Sequence, residues 1–169
     1  MKSQYHNPAT NSELLAQKEY PTRQLVQTAW ENFREFLKKR GDRITETRRI
    51  VLANALVRKD HFQADDLATE LAHGRNRVSR GTVYRTLALL VEAGILREIR
   101  DRDTHAHYEP IFGRRHHEHM ICEKCGCFIE FVDDDLLEHI QQACERSNFK
   151  QRSHHVTIFG ICEECQQAK

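Results

Sequence analysis

The chain has 169 residues, 39% of them hydrophobic and 30% charged, a balance that excludes disorder and leaves room for one domain or two small ones. It has no apolar run of the roughly 18 residues a membrane span needs. Its start, Met1-Lys2-Ser3-Gln4-Tyr5-His6, lacks an apolar signal core, so a cytoplasmic protein with no membrane partner is expected. The net charge is +1, but residues 21–105 hold 17 basic and 12 acidic side chains while residues 106–169 hold 7 and 11. A basic part suited to a polyanion precedes an acidic part with another task.

Residues 1–20 read as a loose tail or a short helix near 13–18. Leu25, Ala29, Phe33, Phe36 and Leu37 recur at helical spacing, with Gly41 as the C-cap. Thr45 opens a second helix with Ile50, Val51, Ala53, Leu56 and Val57 on its apolar side. A third helix begins near Gln63, carries Asp65 and Asp66 where the helix dipole favours acids, and runs through Leu67 and Leu71 to Gly74. A fourth opens at Ser79 or Arg80 and ends at Ala93-Gly94, with Val83, Leu87 and Leu90 inward. The period then becomes two: residues 95–100 and 105–110 read as strands around a polar turn at 101–104. Helices followed by a two-stranded hairpin make the pattern of a winged helix.

Strands resume at 116–122 and 127–131. Asp133 caps a helix bearing Leu136, Leu137, Ile140 and Ala143, and 151–162 read as the last strand. So small an α+β unit has a thin core, and a metal staple or a dimer interface is expected. The boundary falls between residues 109 and 114.

All six cysteines follow residue 121, and eight of the eleven histidines lie at or after residue 105. Cytosolic thiols are normally reduced, so such clustering points to metal ligands before disulfides. Cys122-x-x-Cys125 and Cys162-x-x-Cys165 supply four thiolates for a closed, structural zinc site. The 36 residues between the two knuckles are filled by elements able to bring the chain back. Two redox pairs or buried thiols are the alternative. Cys127 competes as a ligand, and Cys144 reads as a core thiol.

His116-His117-Glu118-His119 is the second cluster. On a strand, His117 and His119 share one face and His116 and Glu118 the other. Glu130, across the hairpin, can join His119. His61 and Glu109 lie on or beside the helical part. Imidazole and carboxylate donors suit iron, manganese, nickel or zinc; solvated surface histidines are the alternative. A metallohydrolase using Glu118 or Glu130 as general base is a further reading, but no second acid–base pair accompanies it, and HExxH, GxSxG and phosphate-loop motifs are absent from the sequence. An enzyme is therefore not expected. A zinc-stapled interaction module without sensing is a third reading.

Ser79-Arg80-Gly81-Thr82-Val83-Tyr84-Arg85-Thr86 opens the fourth helix with hydroxyl, aromatic and guanidinium groups. Such an end enters the major groove in helix-turn-helix proteins. Arg and backbone amides can hold phosphate there, and a Tyr ring can meet a thymine methyl. A capped helix with a solvated face is the plainer reading.

Taken with Glu92-Ala93-Gly94-Ile95, His116 to Cys122, Ile129-Glu130-Phe131, Ser153-His154-His155 and Gly160-x-Cys162-x-x-Cys165, these motifs resemble the ferric uptake regulator family of metal-dependent repressors over about residues 25–165. The resemblance implies an α+β chain with an N-terminal winged helix-turn-helix domain and a C-terminal α/β dimerisation domain with structural zinc. The implied limits are an extension at 1–24, a DNA-binding domain at 25–108 and a dimerisation and metal-binding domain at 109–169. It implies structural Zn2+ on Cys122, Cys125, Cys162 and Cys165, and a sensing site of His61, Glu109, His117, His119 and Glu130. An accessory site of His116, Glu118 and His154 follows, as do DNA contacts from Arg43, Ser79, Thr82, Tyr84 and Arg85. The implied partners are an A/T-rich inverted repeat of double-stranded DNA and a second copy of the chain, with a tetramer as the next assembly.

Three imidazoles and two carboxylates make a hard site suited to Fe2+, with Mn2+ or Zn2+ as substitutes in vitro. Peroxide-sensing members of the family carry Asp where Glu130 stands, so iron sensing and control of iron uptake come first, and peroxide, manganese or zinc response next. The chain departs from the family pattern in three places. Leu137 stands where the accessory site takes a Glu, with Glu138 one step on. Residues 113–115 run one longer than usual, and Thr47 replaces a common Pro. His105 and His107 share a strand face with Glu109, as wing surface or as alternative ligands.

Overall fold

The structure, a computed structural model, describes residues 21–74, 77–102 and 104–168. They fall into two compact units, one within Gln17–Arg115 and one including His116–Lys169. The expected tail or short helix over residues 1–20 lies outside the described residues.

The first unit runs α1 (Arg23–Arg40), α2 (Glu46–Leu56), β1 (Phe62–Gln63), α3 (Ala64–His73), α4 (Arg80–Glu92), β2 (Leu96–Arg100) and β3 (Ala106–Pro110). Three of the four helices start where the sequence offers a side-chain partner for an unsatisfied amide, and α3, which follows Gln63, has no such cap. Thr22 accepts from the Leu25 amide, Thr45 from Arg48 and Ser79 from Thr82. α1 stops at Gly41, whose φ of 73° is left-handed, a region glycine enters without steric cost. Lys38, Lys39 and Arg40 occupy its last turn, where the dipole favours cations.

The core of this unit joins Ala29, Trp30, Phe33 and Leu37 of α1 to Val51, Leu52, Ala55 and Leu56 of α2. Leu67, Val83, Leu87 and Leu90 belong to it too, as do Phe62, Leu96 and Tyr108 of the sheet. The apolar side of α2 is turned from the expected one: Val51 and Leu56 are buried as expected, while Ile50 and Ala53 are only partly buried and Val57 is 43% exposed. With apolar residues at nearly every position from 50 to 57, spacing alone could not pick the face.

The sheet order is β1-β3-β2. The two-residue β1 was not expected, since two residues carry no period. It pairs antiparallel with β3, Phe62 against Tyr108 and Gln63 against His107. The wing turns between β2 and β3 at Thr104, with a φ of 66°.

The second unit runs β4 (Glu118–Cys122), β5 (Phe128–Phe131), α5 (Asp134–Arg146), β6 (Thr157–Gly160) and α6 (Glu163–Gln167). β4 lies between antiparallel β5 and parallel β6. Asp133 caps α5 through the Leu136 amide. Its interior is small: Ile121, Cys122, Cys127, Phe128 and Cys162 are its buried apolar residues among those described, and α5 has no buried residue.

Two expected strands are shorter than their sequence suggested. β4 begins at Glu118 and β6 at Thr157, with side-chain contacts in the segments just ahead of β6. The Val156 amide donates to the Glu118 carboxylate at 2.5 Å, and Gln151 Nε2 lies 2.7 Å from His154 Nδ1.

Candidate metal centres and nucleic-acid interface

Parallel pairing of β4 with β6 sets Cys122 opposite Gly160, which brings the second cysteine knuckle beside the first. Four sulfurs, from Cys122, Cys125, Cys162 and Cys165, lie within 4.8 Å of one another. Cys125 Sγ and Cys162 Sγ are 3.7 Å apart, far beyond a disulfide's roughly 2.05 Å. Zinc–sulfur bonds of about 2.3 Å in a tetrahedron place sulfurs about 3.8 Å apart, so this donor set fits zinc. Gly126, with φ 73°, turns the knuckle so that its amide donates to the Cys122 carbonyl at 2.8 Å.

Burial alone would raise the Cys122 thiol. The amides of Cys162, Cys125 and Lys124 outweigh it and hold the group at about 6, the thiolate form a metal needs. Burial and the neighbouring sulfurs of Cys125 and Cys162 push Cys127 the other way, and Cys127 lies outside the four-sulfur group. Cys144 is half-buried on α5, with its sulfur 3.6 Å from Gln151 Oε1.

The residues expected to sense metal occur as two sets. In the first unit, β1–β3 pairing brings His61 Nε2 to 3.4 Å from Glu109 Oε2, with both side chains buried. Arg97 Nη1 stands 3.5 Å from Glu109 Oε1. In the second unit, the β4–β5 register sets His119 opposite Glu130. The His117 and His119 ring centroids lie 5.0 Å apart, and both rings are buried.

Glu118 organises a third group. Its Oε1 lies 2.7 Å from His116 Nε2 and 3.1 Å from His154 Nε2. Burial works against its charge, but the Val156 amide and His116 hold it below the usual carboxylate range. Leu137 is half-buried and Glu138 accepts from Gln142 Nε2 at 3.1 Å. Neither joins this group of three among the described residues. His105 and His107 engage Asp101, at 3.3 and 3.1 Å, and neither stands in a potential ligand group among the described residues.

The start of α4 presents Ser79, Arg80, Tyr84 and Arg85 to solvent, with Thr82 half-buried. Ser79 Oγ and Thr82 Oγ1 lie 2.9 Å apart. A Cβ on Gly81 would stand 3.2 Å from Arg85 Nη1, so glycine there lets the guanidinium lie back over the helix. Arg43 is exposed ahead of α2, its carbonyl accepting from Arg48.

The family model described as "Ferric uptake regulator family" matches residues 39–159. The chain belongs to the ferric uptake regulator family. It is 34% identical over 134 residues to the ferric uptake regulation protein of Synechococcus elongatus, covering 78% of this chain and 91% of that one. It is 30% identical over 131 residues to the peroxide-responsive repressor PerR of Staphylococcus epidermidis, covering 78% and 86%. The structure of the Helicobacter pylori ferric uptake regulator superposes with a TM-score of 0.72 at 23% identity, over 89% of this chain and 99% of that one, which shows the shared fold. That of the Vibrio cholerae regulator gives 0.58 at 27% identity, over 75% and 96%.

As a ferric uptake regulator family member, the chain is a metal-responsive transcription regulator with an N-terminal winged-helix domain and a C-terminal dimerisation domain. No helix among its described residues is long and apolar enough to cross a membrane. Sequence reasoning took Asp65 only as a first-turn acid. In the structure it meets both Tyr84 and Arg80. Asp65 and Tyr84 stand nineteen positions apart, and the sequence between them carries no signal for that contact.

Proposed function

We propose that this chain represses transcription in response to Fe2+, with iron-uptake genes as its targets. The observation that carries the reading is the pairing of imidazole with carboxylate in each unit: His61 with Glu109 at 3.4 Å, and His119 opposite Glu130. In this reading these donors and His117 serve one ion as nitrogen and oxygen ligands without thiolate, a set that suits Fe2+ or Mn2+ over a cysteine-preferring ion. A bound ion ties the two sets together. His61 immediately precedes β1, which runs straight into α3, and α3 packs on α4; drawing His61 in therefore orients α4. A ligand shifts such an equilibrium only by its differential affinity for the two states, and DNA then tightens metal binding reciprocally.

Cys122, Cys125, Cys162 and Cys165 hold the structural zinc of this reading, and His116, Glu118 and His154 an accessory site with three protein ligands. Tyr84, Arg85, Ser79, Thr82 and Arg43 meet an A/T-rich inverted repeat. The functional division is residues 25–108 for DNA and 109–169 for dimerisation. β6 is an edge strand bearing Ile158 and Phe159, 45% and 46% exposed, with Ile161 just beyond it. Edge strands with apolar side chains invite pairing, which supports a second copy docking there.

The test follows binding of the zinc-replete protein to such a repeat by fluorescence anisotropy, without oxygen and at fixed salt, while Fe2+ or buffered Zn2+ is added. Micromolar Fe2+ switching binding on supports the reading. A response to trace free Zn2+ without one to Fe2+ overturns it. Similarity to a peroxide-responsive repressor favours a second reading, in which hydrogen peroxide abolishes binding by the Fe2+-loaded protein but not by the Mn2+-loaded one.

A further inference from the structure

Asp65 stands in the first turn of α3, and its carboxylate engages two groups of the recognition helix at once. Oδ1 accepts a hydrogen bond from the Tyr84 hydroxyl at 2.5 Å and lies 2.5 Å from Arg80 Nη2. Arg80 also donates to Tyr84 Oη at 3.4 Å, and its guanidinium carbon stands 5.5 Å from the centre of the Tyr84 ring. All three side chains are exposed, and exposed ion pairs add little to stability. What the cluster does is fix two side chains at the start of α4.

We propose that Asp65 is a positioning residue that sets DNA specificity, by committing the Tyr84 hydroxyl proton and neutralising Arg80. The proposal rests on α4 being the groove-reading helix. A tyrosine hydroxyl has one proton to donate and two lone pairs. With the proton given to Asp65 and one lone pair taken by Arg80, Tyr84 reads a base edge through its ring and one acceptor position. That combination accepts from adenine N6 or cytosine N4 and touches a thymine methyl. A freed hydroxyl would also donate to guanine O6 or thymine O4 and blur the choice. A freed Arg80 would take a phosphate on any sequence, and the Asp65 charge itself repels phosphates without regard to sequence.

The test compares the full, zinc-replete chain with D65A and D65N, each loaded with Mn2+. Each selects its motif from a random-sequence duplex pool, and each is titrated with an unrelated duplex over a range of salt. D65A is expected to bind the unrelated duplex about three- to tenfold tighter, with a salt slope steeper by about one, and to select a motif degraded at the positions facing Tyr84. D65N still offers an acceptor to Tyr84, so it is expected to gain the same non-specific affinity and keep the motif. NMR of protein labelled at the tyrosine rings supplies a readout independent of DNA: Tyr84 titrates at lower pH in D65A than in the wild type. An unmoved Tyr84 titration overturns the contact. An unchanged motif and salt slope, with the titration moved, overturns its role in specificity. If the wild type selects no motif with or without Mn2+, the assignment of α4 fails and the specificity role with it, while the titration still decides the contact.

Discussion

Replacing Cys162 by Ser perturbs the second unit where it has least in reserve. Cys162 is 6% exposed, and Cys122, Cys127 and Cys162 are themselves much of the buried interior. The Cys162 amide also donates to Cys122 Sγ at 3.3 Å. Structural zinc binding is worth about 10–16 kcal/mol at neutral pH in small metal-stapled domains. If zinc is lost with one of the four proposed ligands, that energy goes with it, and Ile121 and Phe128, at about 1.5–3 kcal/mol for each fully buried side chain, cannot make it up. The helices α1–α4 and their core lie in the other unit and do not depend on the metal. Calorimetry and circular dichroism of C162S should then show the cooperative transition of the winged unit, most of the helical signal, and no folded second unit or dimer. Zinc should be released to a colorimetric chelator far faster than from the wild type. The same reasoning sets a pH range. Cys122 is held at about 6, below its ordinary 9.0, so its contribution is full above the ordinary value and lost as pH falls through about 6. Zinc uptake by the metal-free protein should weaken as the pH falls through about 6. A C162S protein that keeps zinc, dimerises and melts like the wild type would refute the staple.

Other expectations follow from single side chains. H61A removes the imidazole paired with Glu109 and should abolish metal-dependent DNA binding while zinc content and the melting of the second unit stay unchanged; metal-dependent binding by H61A in the anisotropy assay would overturn the site assignment. Phe33 has no exposed surface, and F33A should cost about 3–5 kcal/mol, lowering the winged unit's Tm by roughly 15 °C or more in a calorimetric scan. Charging the edge strand with I158E and F159E together should yield monomers in analytical ultracentrifugation without loss of zinc. G113A should destabilise the winged unit, because φ is +73° and the new Cβ would meet Leu25 Cδ1 at 2.7 Å; chemical denaturation reads the loss.

Local chemistry was legible in the sequence. Thr22, Thr45, Ser79 and Asp133 cap helices because each offers a side-chain oxygen just ahead of an apolar, helix-forming run, though only the last three stood out in the spacing. The cysteine knuckles pointed to a ligand group because four thiolates at that spacing suit zinc, and the four sulfurs gather within 4.8 Å of one another. Strand alternation grouped His117 with His119 and His116 with Glu118, and ring and hydrogen-bond distances of 5.0 and 2.7 Å have the same grouping. What spacing does not encode is which distant segments become neighbours. β1 is too short to have a period, yet its pairing with β3 is what carries His61 to Glu109. The face of α2 was decided by what packed against it, since its apolar residues are nearly continuous. Just ahead of β6, the Val156 amide donates to Glu118 while its carbonyl accepts from the His119 amide at 3.2 Å, contacts between segments far apart in the chain. Asp65 met Tyr84 and Arg80 because α3 packs on α4. Caps, turns and ligand spacing act over a few residues and are written in order along the chain. Pairing, burial and long-range ion contacts arise only when the whole core has formed, and there the tertiary structure alone decided.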